Sequence, residues 1–323
     1  MRGVKIVGTG SALPSRVVTN DDMAQMVDTS DEWISTRTGI RSRRWCASGE
    51  NQYTLARDAA KRALDAAGIT PDEVGVCLVA TFTASAATPS AACLIQRDLG
   101  LAEDTFCLDV NAACAGFVYA LAVAESLLAR GGKRYALVVG AEELSRVMDM
   151  ADRTTCVLFG DGAGACVLKA AEGYPSLHAV WGSRGNGEAL AAPGVNAARD
   201  EAGAVRPSYL AMDGRAVFRF ATEVLPRCCA EVLERAGASA ADVDRYVFHQ
   251  ANKRIVDVAV RKLGLDSAKC AGNIDHTGNT SAASVPILLD ELVREGALGP
   301  GDRVVLAGFG AGLTWAGCLA ELA

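Results

Sequence analysis

One cysteine of the sequence lies where nucleophilic chemistry would be expected. Cys114 follows an apolar strand pattern at residues 105–110 and precedes a helix pattern, rich in Ala, Leu and Val, at residues 118–130. The unpaired N–H groups and the dipole of a helix N-terminus stabilise a thiolate, so we expect a lowered pKa for the Cys114 thiol. The alternative is a small buried core cysteine, which is where most free cysteines occur.

The composition limits the classes of protein to consider. Half of the 323 residues are hydrophobic and 22% are charged, which is typical of a globular protein with a large core. The formal net charge of −6 argues against nucleic acid as a partner and allows an acidic partner only through a local basic patch. Residues 1–15 contain no sustained apolar run, and no stretch reaches membrane-spanning length. We therefore expect a cytoplasmic protein without membrane insertion.

The eleven cysteines are scattered, odd in number and without any Cys-x-x-Cys pair. Cys77, Cys107 and Cys166 lie inside apolar, strand-like runs. This pattern favours reduced core thiols over disulfides or zinc ligands, so we predict no metal site. A redox or metal-binding function is the weaker alternative, because no ligand spacing supports it.

The elements around Cys114 recur in the second half of the chain. The helix-and-turn pattern at residues 63–74 lines up with residues 232–243, at an offset of 169 positions. At that offset Cys114 falls opposite Ala283, and the strand ending at Gly140 matches residues 304–308 within one residue. The repeat predicts two similar α/β halves, which we place at residues 1–172 and 173–323. Continuous apolar runs indicate a mostly parallel, helix-covered sheet in each.

The repeat also predicts where a site would form. Ligands of open α/β sheets bind beyond the carboxyl ends of strands. His249 follows the strand pattern at residues 245–248, and Asn279 precedes the helix that matches the one after Cys114. We therefore expect these three side chains to share one cleft. Taken singly, His249 would more often be an ordinary core histidine, and Asn279 a turn or cap residue.

Two glycine-rich runs, at residues 160–164 and 308–312, could suggest phosphate binding. Neither has the spacing of a dinucleotide-binding loop or a P-loop. We interpret residues 160–164 as a place of tight packing.

Seven short motifs together resemble the β-ketoacyl-acyl carrier protein synthase III family. They read DEWI at residues 31–34, TRTGI at 36–40, DVNAACAGF at 109–117, FGDGAGA at 159–165, FHQAN at 248–252, GNTSAAS at 278–284 and GFGAGLTW at 308–315. Each motif alone is moderately specific, but all occur in the family's order. The resemblance implies an α/β fold of the thiolase type, internally duplicated, with αβαβα layers.

The resemblance also implies a decarboxylative Claisen condensation with a ping-pong mechanism. An acyl group would pass from acyl-CoA to the Cys114 sulfur, and malonyl-acyl carrier protein would then lose carbon dioxide and attack the acyl-enzyme. The β-ketoacyl-acyl carrier protein so formed would initiate type II fatty-acid synthesis. Acyl-CoA is a substrate in this reaction, and no cofactor is expected.

The resemblance assigns roles to further residues of the reaction. A thioester enolate needs hydrogen-bond donors where its charge develops, and a neutral His249 with the Asn279 amide would supply them. The backbone N–H groups of Cys114 and Ala311 would stabilise the oxyanion during acylation, and Phe309 would keep the carboxylate in an apolar setting. Ala311 replaces a glycine common in the family, which should matter little because only its N–H is needed.

Binding residues follow from the same resemblance. Trp33 and Arg37 are four apart, so on a helix they share one face, and the family uses such a pair for CoA. The CoA-binding set is completed by Thr29, Arg153 and Asn252. The carrier protein would bind a basic patch made of Arg219, Lys253, Arg254, Arg261 and Lys262. Without the resemblance, a surface Trp–Arg stack and a solvated helix face explain these patterns equally well.

The chain departs from the family before Pro89. Acetyl-selective members carry a phenylalanine there that closes the acyl pocket, whereas this chain has Thr88. If Thr88 lines the acyl pocket, a longer or branched primer could enter. The resemblance further implies a homodimer.

Two rival functions stay open. The first is a thiolase-fold acyltransferase or polyketide-type condensing enzyme of secondary metabolism. The second is a catalytically silent partner that binds carrier protein, against which the presence of Cys114 argues.

Overall fold

The computed structural model describes residues 2–192 and 209–323. The strands are β1 (Arg2–Ala12), β2 (Arg16–Thr19), β3 (Ser42–Trp45), β4 (Val74–Ala80), β5 (Phe106–Val110), β6 (Tyr135–Glu142), β7 (Gly162–Glu172), β8 (Val180–Asn186), β9 (Leu190–Ala191), β10 (Ala211–Met212), β11 (Arg245–Phe248), β12 (Arg303–Gly310) and β13 (Gly312–Glu321). The helices are α1 (Asn20–Ala24), α2 (Asp31–Thr38), α3 (Gln52–Ala67), α4 (Ala91–Leu99), α5 (Gly116–Leu128), α6 (Gly214–Ala236), α7 (Lys253–Leu263), α8 (Ile274–Thr277) and α9 (Ser284–Arg294).

Two large sheets carry the fold. The first has the order β1-β7-β6-β4-β5, and the second has the order β8-β13-β12-β11. The second sheet thus repeats four strands of the first. The counterpart of β5 is reduced to one parallel bridge between Tyr246 and Cys270.

Each sheet is mixed rather than mostly parallel, so that prediction was wrong. Strand β4 is parallel to β5 and β6, and β11 is parallel to β12. Strands β7 and β13, in contrast, are antiparallel to both of their neighbours. Only Ala311 separates β12 from β13, and so short a connection can join only antiparallel strands. The sequence pattern missed this because strands buried on both faces read as apolar whatever their direction.

Five layers stack through the molecule, as predicted. Helices α5 and α9 lie between the two sheets and contact strands of both. Helices α3 and α4 cover the outer face of the first sheet, and α6 covers that of the second, with α7 packed against α6. The largest apolar cluster lies in this middle layer and includes Phe117, Leu121 and Leu289, all fully buried. The αβαβα arrangement therefore places the N-termini of α5 and α9 between the sheets.

The internal repeat is present, with one correction to its register. Two 3₁₀ turns precede the central helices, Ala113–Ala115 before α5 and Ser281–Ala283 before α9. They are 168 positions apart, so Cys114 corresponds to Ala282 and not to Ala283. The second half has one residue fewer between its earlier matching turn, Ala240–Asp242, and this point.

Candidate active site

Cys114 lies in the tight turn between β5 and α5 and is 7% exposed. The Ala113 N–H donates to Oδ1 of Asn111 at 3.2 Å, and Ala113 adopts a left-handed φ of 46°. Two glycines of β12 pack directly against the turn: a methyl group on Gly310 would lie 3.1 Å from the Cys114 sulfur, and one on Gly308 would lie 2.9 Å from its carbonyl oxygen. The run at 308–312 therefore allows β12 to approach the cysteine closely.

The pKa of Cys114 differs from the sequence-based expectation. Burial raises the pKa of the thiol to about 12, the Ser281 hydroxyl lowers it, and the carboxylate of Glu142 raises it. The thiol is thus protonated at neutral pH in the free protein. The position before a helix was identified correctly, but the loss of solvation dominates over the helix N-terminus.

Asn279 occupies a turn built like that of Cys114. The Ser281 N–H donates to Oδ1 of Asn279 at 2.9 Å, and Ser281 has a φ of 49°. The Asn279 backbone also pairs with the glycine-rich run, because its N–H donates to the Leu158 carbonyl at 2.9 Å and its carbonyl accepts from the Gly160 N–H at 3.0 Å. A methyl group on Gly160 would lie 2.3 Å from the Thr277 carbonyl oxygen. The prediction of tight packing at 160–164 is therefore confirmed.

His249 follows β11 and is 1% exposed. Its ring meets the Phe309 ring edge-on, with 5.2 Å between the centroids. Burial lowers the pKa of His249 to about 3, so the imidazole is neutral at physiological pH. Its Nδ1 atom has no hydrogen-bond partner among the described residues. A neutral ring can donate one hydrogen bond to a developing negative charge.

Two cavities meet at Cys114. Cavity A, of about 610 Å³, is lined by residues 82–87 together with Asn111, Ala113, Ser281 and Ala311. Cavity B, of about 640 Å³, is lined by Trp33, Arg37, His249, Asn252, Asn279 and Phe309. Cys114, Phe159 and Leu190 border both. The structure thus brings Cys114, His249 and Asn279 to one cavity, and it places Ala311 on the other side of the cysteine.

The residues predicted to bind CoA cluster at one side of cavity B. The guanidinium carbons of Arg37 and Arg153 lie over the Trp33 ring, 4.9 Å and 5.4 Å from its centroid. Asn252 caps α7 and donates from Nδ2 to the Arg37 carbonyl at 3.1 Å, which joins α7 to α2. The Thr29 hydroxyl is buried without a partner in the described part of the chain.

The predicted basic patch divides into two groups. Arg219 and Arg254 line cavity B. Lys253 pairs with Asp257 at 2.8 Å, and Lys262 donates to the Thr222 carbonyl at 2.9 Å. Arg261 is exposed in the last turn of α7, away from the cavity lining. Only the first group stands beside the opening to the cysteine.

Thr88 is not where the sequence placed it. Its side chain is exposed, and within one chain the lining of cavity A ends at Ala87. The segment leaves the cavity one residue before the position that the family comparison singled out. The nearest determinants of cavity A within the chain are therefore residues 82–87.

Sequence reasoning missed three residues at this site. Glu142 is fully buried at the end of β6 and hydrogen-bonds Ser281. Arg215 lines cavity B one turn before Arg219. The repeat could have revealed Ser281, which corresponds to Ala113 at the same offset as Ala282 to Cys114. No pattern marked Glu142, because it simply ends an apolar run.

All eleven cysteines are free thiols. Across residues 2–192 and 209–323, no His, Cys, Asp or Glu side chains gather in threes as a metal would require. No helix of these two ranges is long and apolar enough to cross a membrane.

Comparisons with known proteins agree with this geometry. The family described as 3-oxoacyl-[acyl-carrier-protein (ACP)] synthase III matches residues 108–185, and its C-terminal counterpart matches residues 233–322. The β-ketoacyl-[acyl-carrier-protein] synthase III of Rhizorhabdus wittichii is 47% identical over 321 residues, covering 98% of each chain. The crystal structure of the Thermus thermophilus synthase III is 42% identical, with a TM-score of 0.92 over 99% of both chains. A priming β-ketosynthase of the R1128 polyketide pathway is 39% identical, with a TM-score of 0.92 over 99% of this chain and 96% of its own.

The layers and these solved structures define a condensing enzyme of the thiolase fold, with acyltransferase activity. Within that class, the chain belongs to the β-ketoacyl-acyl carrier protein synthase III family. The fold and the family predicted from the sequence are both confirmed.

Proposed function

We propose that this protein condenses an acyl-CoA primer with malonyl-acyl carrier protein through an acyl-Cys114 intermediate, and so initiates type II fatty-acid synthesis. The observation that carries the proposal is the convergence of Cys114, His249 and Asn279 on cavity B. The relatives named above supply the class of substrate. The geometry supports a separate task for each of the three side chains.

In the first half-reaction, the Cys114 thiolate attacks the thioester carbon and CoA leaves. The oxyanion would be stabilised by the backbone N–H groups of Cys114 and Ala311. The Thr314 hydroxyl supports this arrangement, because it donates to the carbonyls of Ala112 and Ala311 at 3.0 Å and 2.9 Å and so joins the two segments. The acyl chain would occupy cavity A, which lies beside the sulfur.

In the second half-reaction, loss of carbon dioxide leaves an enolate that attacks the acyl-enzyme. The neutral His249 ring and the Asn279 side-chain amide would donate to the enolate oxygen. Oδ1 of Asn279 is already engaged by the Ser281 N–H, so its NH₂ group is the end left to donate. The edge of the Phe309 ring against His249 keeps this part of cavity B apolar, which favours departure of a carboxylate as neutral carbon dioxide.

The CoA and carrier sites would share cavity B. Trp33, stacked with Arg37 and Arg153, offers an aromatic plane and two cations for an adenine ring and its phosphates. Thr29 has a free buried hydroxyl beside them, and Asn252 would lie along the pantetheine arm. Arg219 and Arg254 would receive the acidic carrier protein, with Lys253, Arg261 and Lys262 contributing to long-range attraction.

We also propose a homodimer, built on the edge of the first sheet. Strand β5 has a partner on one side only, and its Phe106 and Leu108 side chains are 48% and 43% exposed. An unpaired, apolar edge strand readily pairs with a second copy. The eleven free thiols support a cytoplasmic location, where thiols stay reduced.

Intact mass after incubation with a panel of acyl-CoAs, from acetyl to dodecanoyl, tests the central proposal. We expect the mass of one acyl group on the wild-type chain and none on Cys114→Ala. Cys93→Ala is the matched control, because Cys93 is an exposed thiol outside the site. Acyl loading that persists in Cys114→Ala would contradict the proposal.

The R1128 relative favours a second candidate, the priming step of a polyketide pathway. The absence of Thr88 from the lining leaves cavity A without the closing aromatic of acetyl-selective members. The acyl-CoA panel separates the two candidates: a preference for acetyl indicates fatty-acid initiation, whereas a preference for longer or branched chains indicates a specialised primer.

A further inference from the structure

A buried carboxyl group without an assigned task lies behind the nucleophile. Glu142 ends β6, and its side chain is fully buried between the residue 81–83 segment and Ser281. Burial raises the pKa of Glu142 to about 7, and hydrogen bonds from Thr83, Phe82 and Thr81 lower it. A buried carboxyl of this kind costs stability unless something offsets it. Its position beside the reacting sulfur makes a functional reason the more economical one.

The two carboxyl oxygens of Glu142 have unequal surroundings. Oε2 accepts from the Thr81 hydroxyl at 3.2 Å, from the Phe82 N–H at 3.3 Å, from the Thr83 N–H at 3.1 Å and from the Thr83 hydroxyl. Oε1 accepts only from the Ser281 hydroxyl, at 3.3 Å. The four donors fix the carboxyl group through one oxygen. The other oxygen retains lone-pair capacity and is the one that can take a proton.

Ser281 stands between this oxygen and the nucleophile. It lines cavity A together with Cys114, and its hydroxyl lowers the pKa of the thiol while it donates to Glu142. A hydroxyl can accept one proton and pass on another. Ser281 also has a φ of 49°, a strained backbone conformation that tends to persist at functional sites.

We propose that Glu142 receives the Cys114 proton through the Ser281 hydroxyl when the enzyme is acylated. This inference rests on the acyl-Cys114 function proposed above. The S–H bond breaks and its electron pair stays on sulfur, while the Ser281 oxygen takes that proton and its own hydroxyl proton moves to Oε1 of Glu142. The sulfur then bonds to the acyl carbon, and the CoA thiolate leaves and is protonated by water.

The second half-reaction restores the starting state. The enolate forms a carbon–carbon bond as the bond between the acyl carbon and Cys114 breaks, and the proton returns from Glu142 through Ser281 to the sulfur. Glu142 thus holds one proton for the lifetime of the acyl-enzyme. Its protonation also removes the negative charge that raises the pKa of the thiol.

The other charged groups nearby are occupied. Arg146 donates to the Thr83 carbonyl at its Nη2 and lies 3.8 Å from the Glu143 carboxylate. Glu143 accepts from the Gln52 N–H at 3.3 Å and lines neither cavity. His249 is a poor acceptor, because burial holds its pKa near 3. Glu142 is the titratable carboxyl joined to the thiol by a hydroxyl group.

The rate of Cys114 alkylation by iodoacetamide, measured from pH 5 to 10, tests the relay without any substrate. We expect Glu142→Gln to slow alkylation at pH 7 by about tenfold or more, the effect of one pKa unit on the thiolate fraction. A merely electrostatic neighbour predicts the opposite sign, because removal of a negative charge should make the thiolate easier to form and speed alkylation. Unchanged or faster alkylation in Glu142→Gln therefore overturns the proposal.

Ser281→Ala is the second variant, in case Glu142→Gln does not fold. Alanine suits this position, since Ala113 adopts the same backbone conformation in the matching turn. We expect Ser281→Ala to slow alkylation, and the added Glu142→Gln change to slow it no further; a further slowing in the double variant would contradict a shared path. Glu143→Gln is the matched control and should leave the profile unchanged.

The acyl-CoA mass experiment keeps the two proposals separate. If the wild type accepts no acyl group but Glu142→Gln still alkylates slowly, the acyl-CoA function fails and the relay stands. If the wild type is acylated and Glu142→Gln alkylates as fast as wild type, the relay fails and the function stands.

Discussion

The turns at residues 111–116 and 279–284 share a backbone and differ in what they offer to a substrate. In both, an asparagine Oδ1 accepts an N–H two residues on, and the residue that donates it has a left-handed φ. The first turn then presents Cys114, and the second presents Ala282. The asparagines differ as well, because Asn111 lines cavity A and Asn279 lines cavity B beside His249. One duplicated turn thus serves as the nucleophile's support in one half and as a donor site in the other.

The largest effect should follow from making the two turns alike at their centres. Cys114→Ala copies Ala282 into the first turn, so the fold should be kept while acyl-enzyme formation is lost entirely. Intact mass with acyl-CoA and far-ultraviolet circular dichroism measure the two properties. A variant that unfolds would show that the turns are not equivalent supports.

The next effect separates the two asparagines. Asn279→Asp keeps the Oδ1 that holds the turn but loses the NH₂ group, and we expect condensation from pre-loaded acyl-enzyme to slow about 10²–10³-fold, as for loss of one oxyanion donor. Asn111→Asp is the matched change in the first turn and should leave that step near the wild-type rate. Rapid-quench assays of a single turnover give both values, and equal losses would refute separate roles.

A smaller effect concerns the strands behind the turns. A methyl group on Gly140 of β6 would lie 2.2 Å from the Ala282 carbonyl oxygen, and one on Gly308 of β12 would lie 2.9 Å from the Cys114 carbonyl oxygen. We expect each alanine variant to lose about 1–3 kcal/mol of unfolding free energy, with Gly140→Ala the worse. Urea denaturation tests this order, and the reverse order would mean that the second turn yields more easily.

The smallest effect is a pH dependence that belongs to the second half, which holds all three histidines. Burial lowers the pKa of His249 to about 3, so its contribution to stability is lost as pH falls below the usual 6.5. The carboxylates of Glu291 and Asp275 raise the pKa of His276 to about 8, so its contribution is present below 6.5 and lost as pH rises through 8. Urea midpoints from pH 4 to 9 should change less steeply on the acid side in His249→Gln and on the alkaline side in His276→Gln.

The sequence predicted the features that depend on local pattern. Cys114 was found because a strand pattern meets a helix pattern there, and the duplication was found because residues 63–74 and 232–243 share spacing. The family and the αβαβα layers followed from motifs in a fixed order. These signals are visible in one dimension because each belongs to a short continuous stretch.

The features that the sequence missed depend on distant contacts. The pKa of Cys114 is set by burial and by Glu142, which reaches the thiol only through the fold. Strand direction was hidden because buried strands look alike in either direction. Thr88 was placed by analogy, and its exposed position depends on how the chain turns after residue 87. The offset error of one residue came from carrying one alignment across a short deletion.

The reciprocal packing of Gly140 on Ala282 and of Gly308 on Cys114 has a consequence for the history of the chain. Each half supplies the strand that supports the other half's turn, so neither half could shape its own turn alone. An ancestor of half the length would have needed a second copy of itself to complete either site. Fusion of two such genes would then have freed one copy to lose its thiol and specialise.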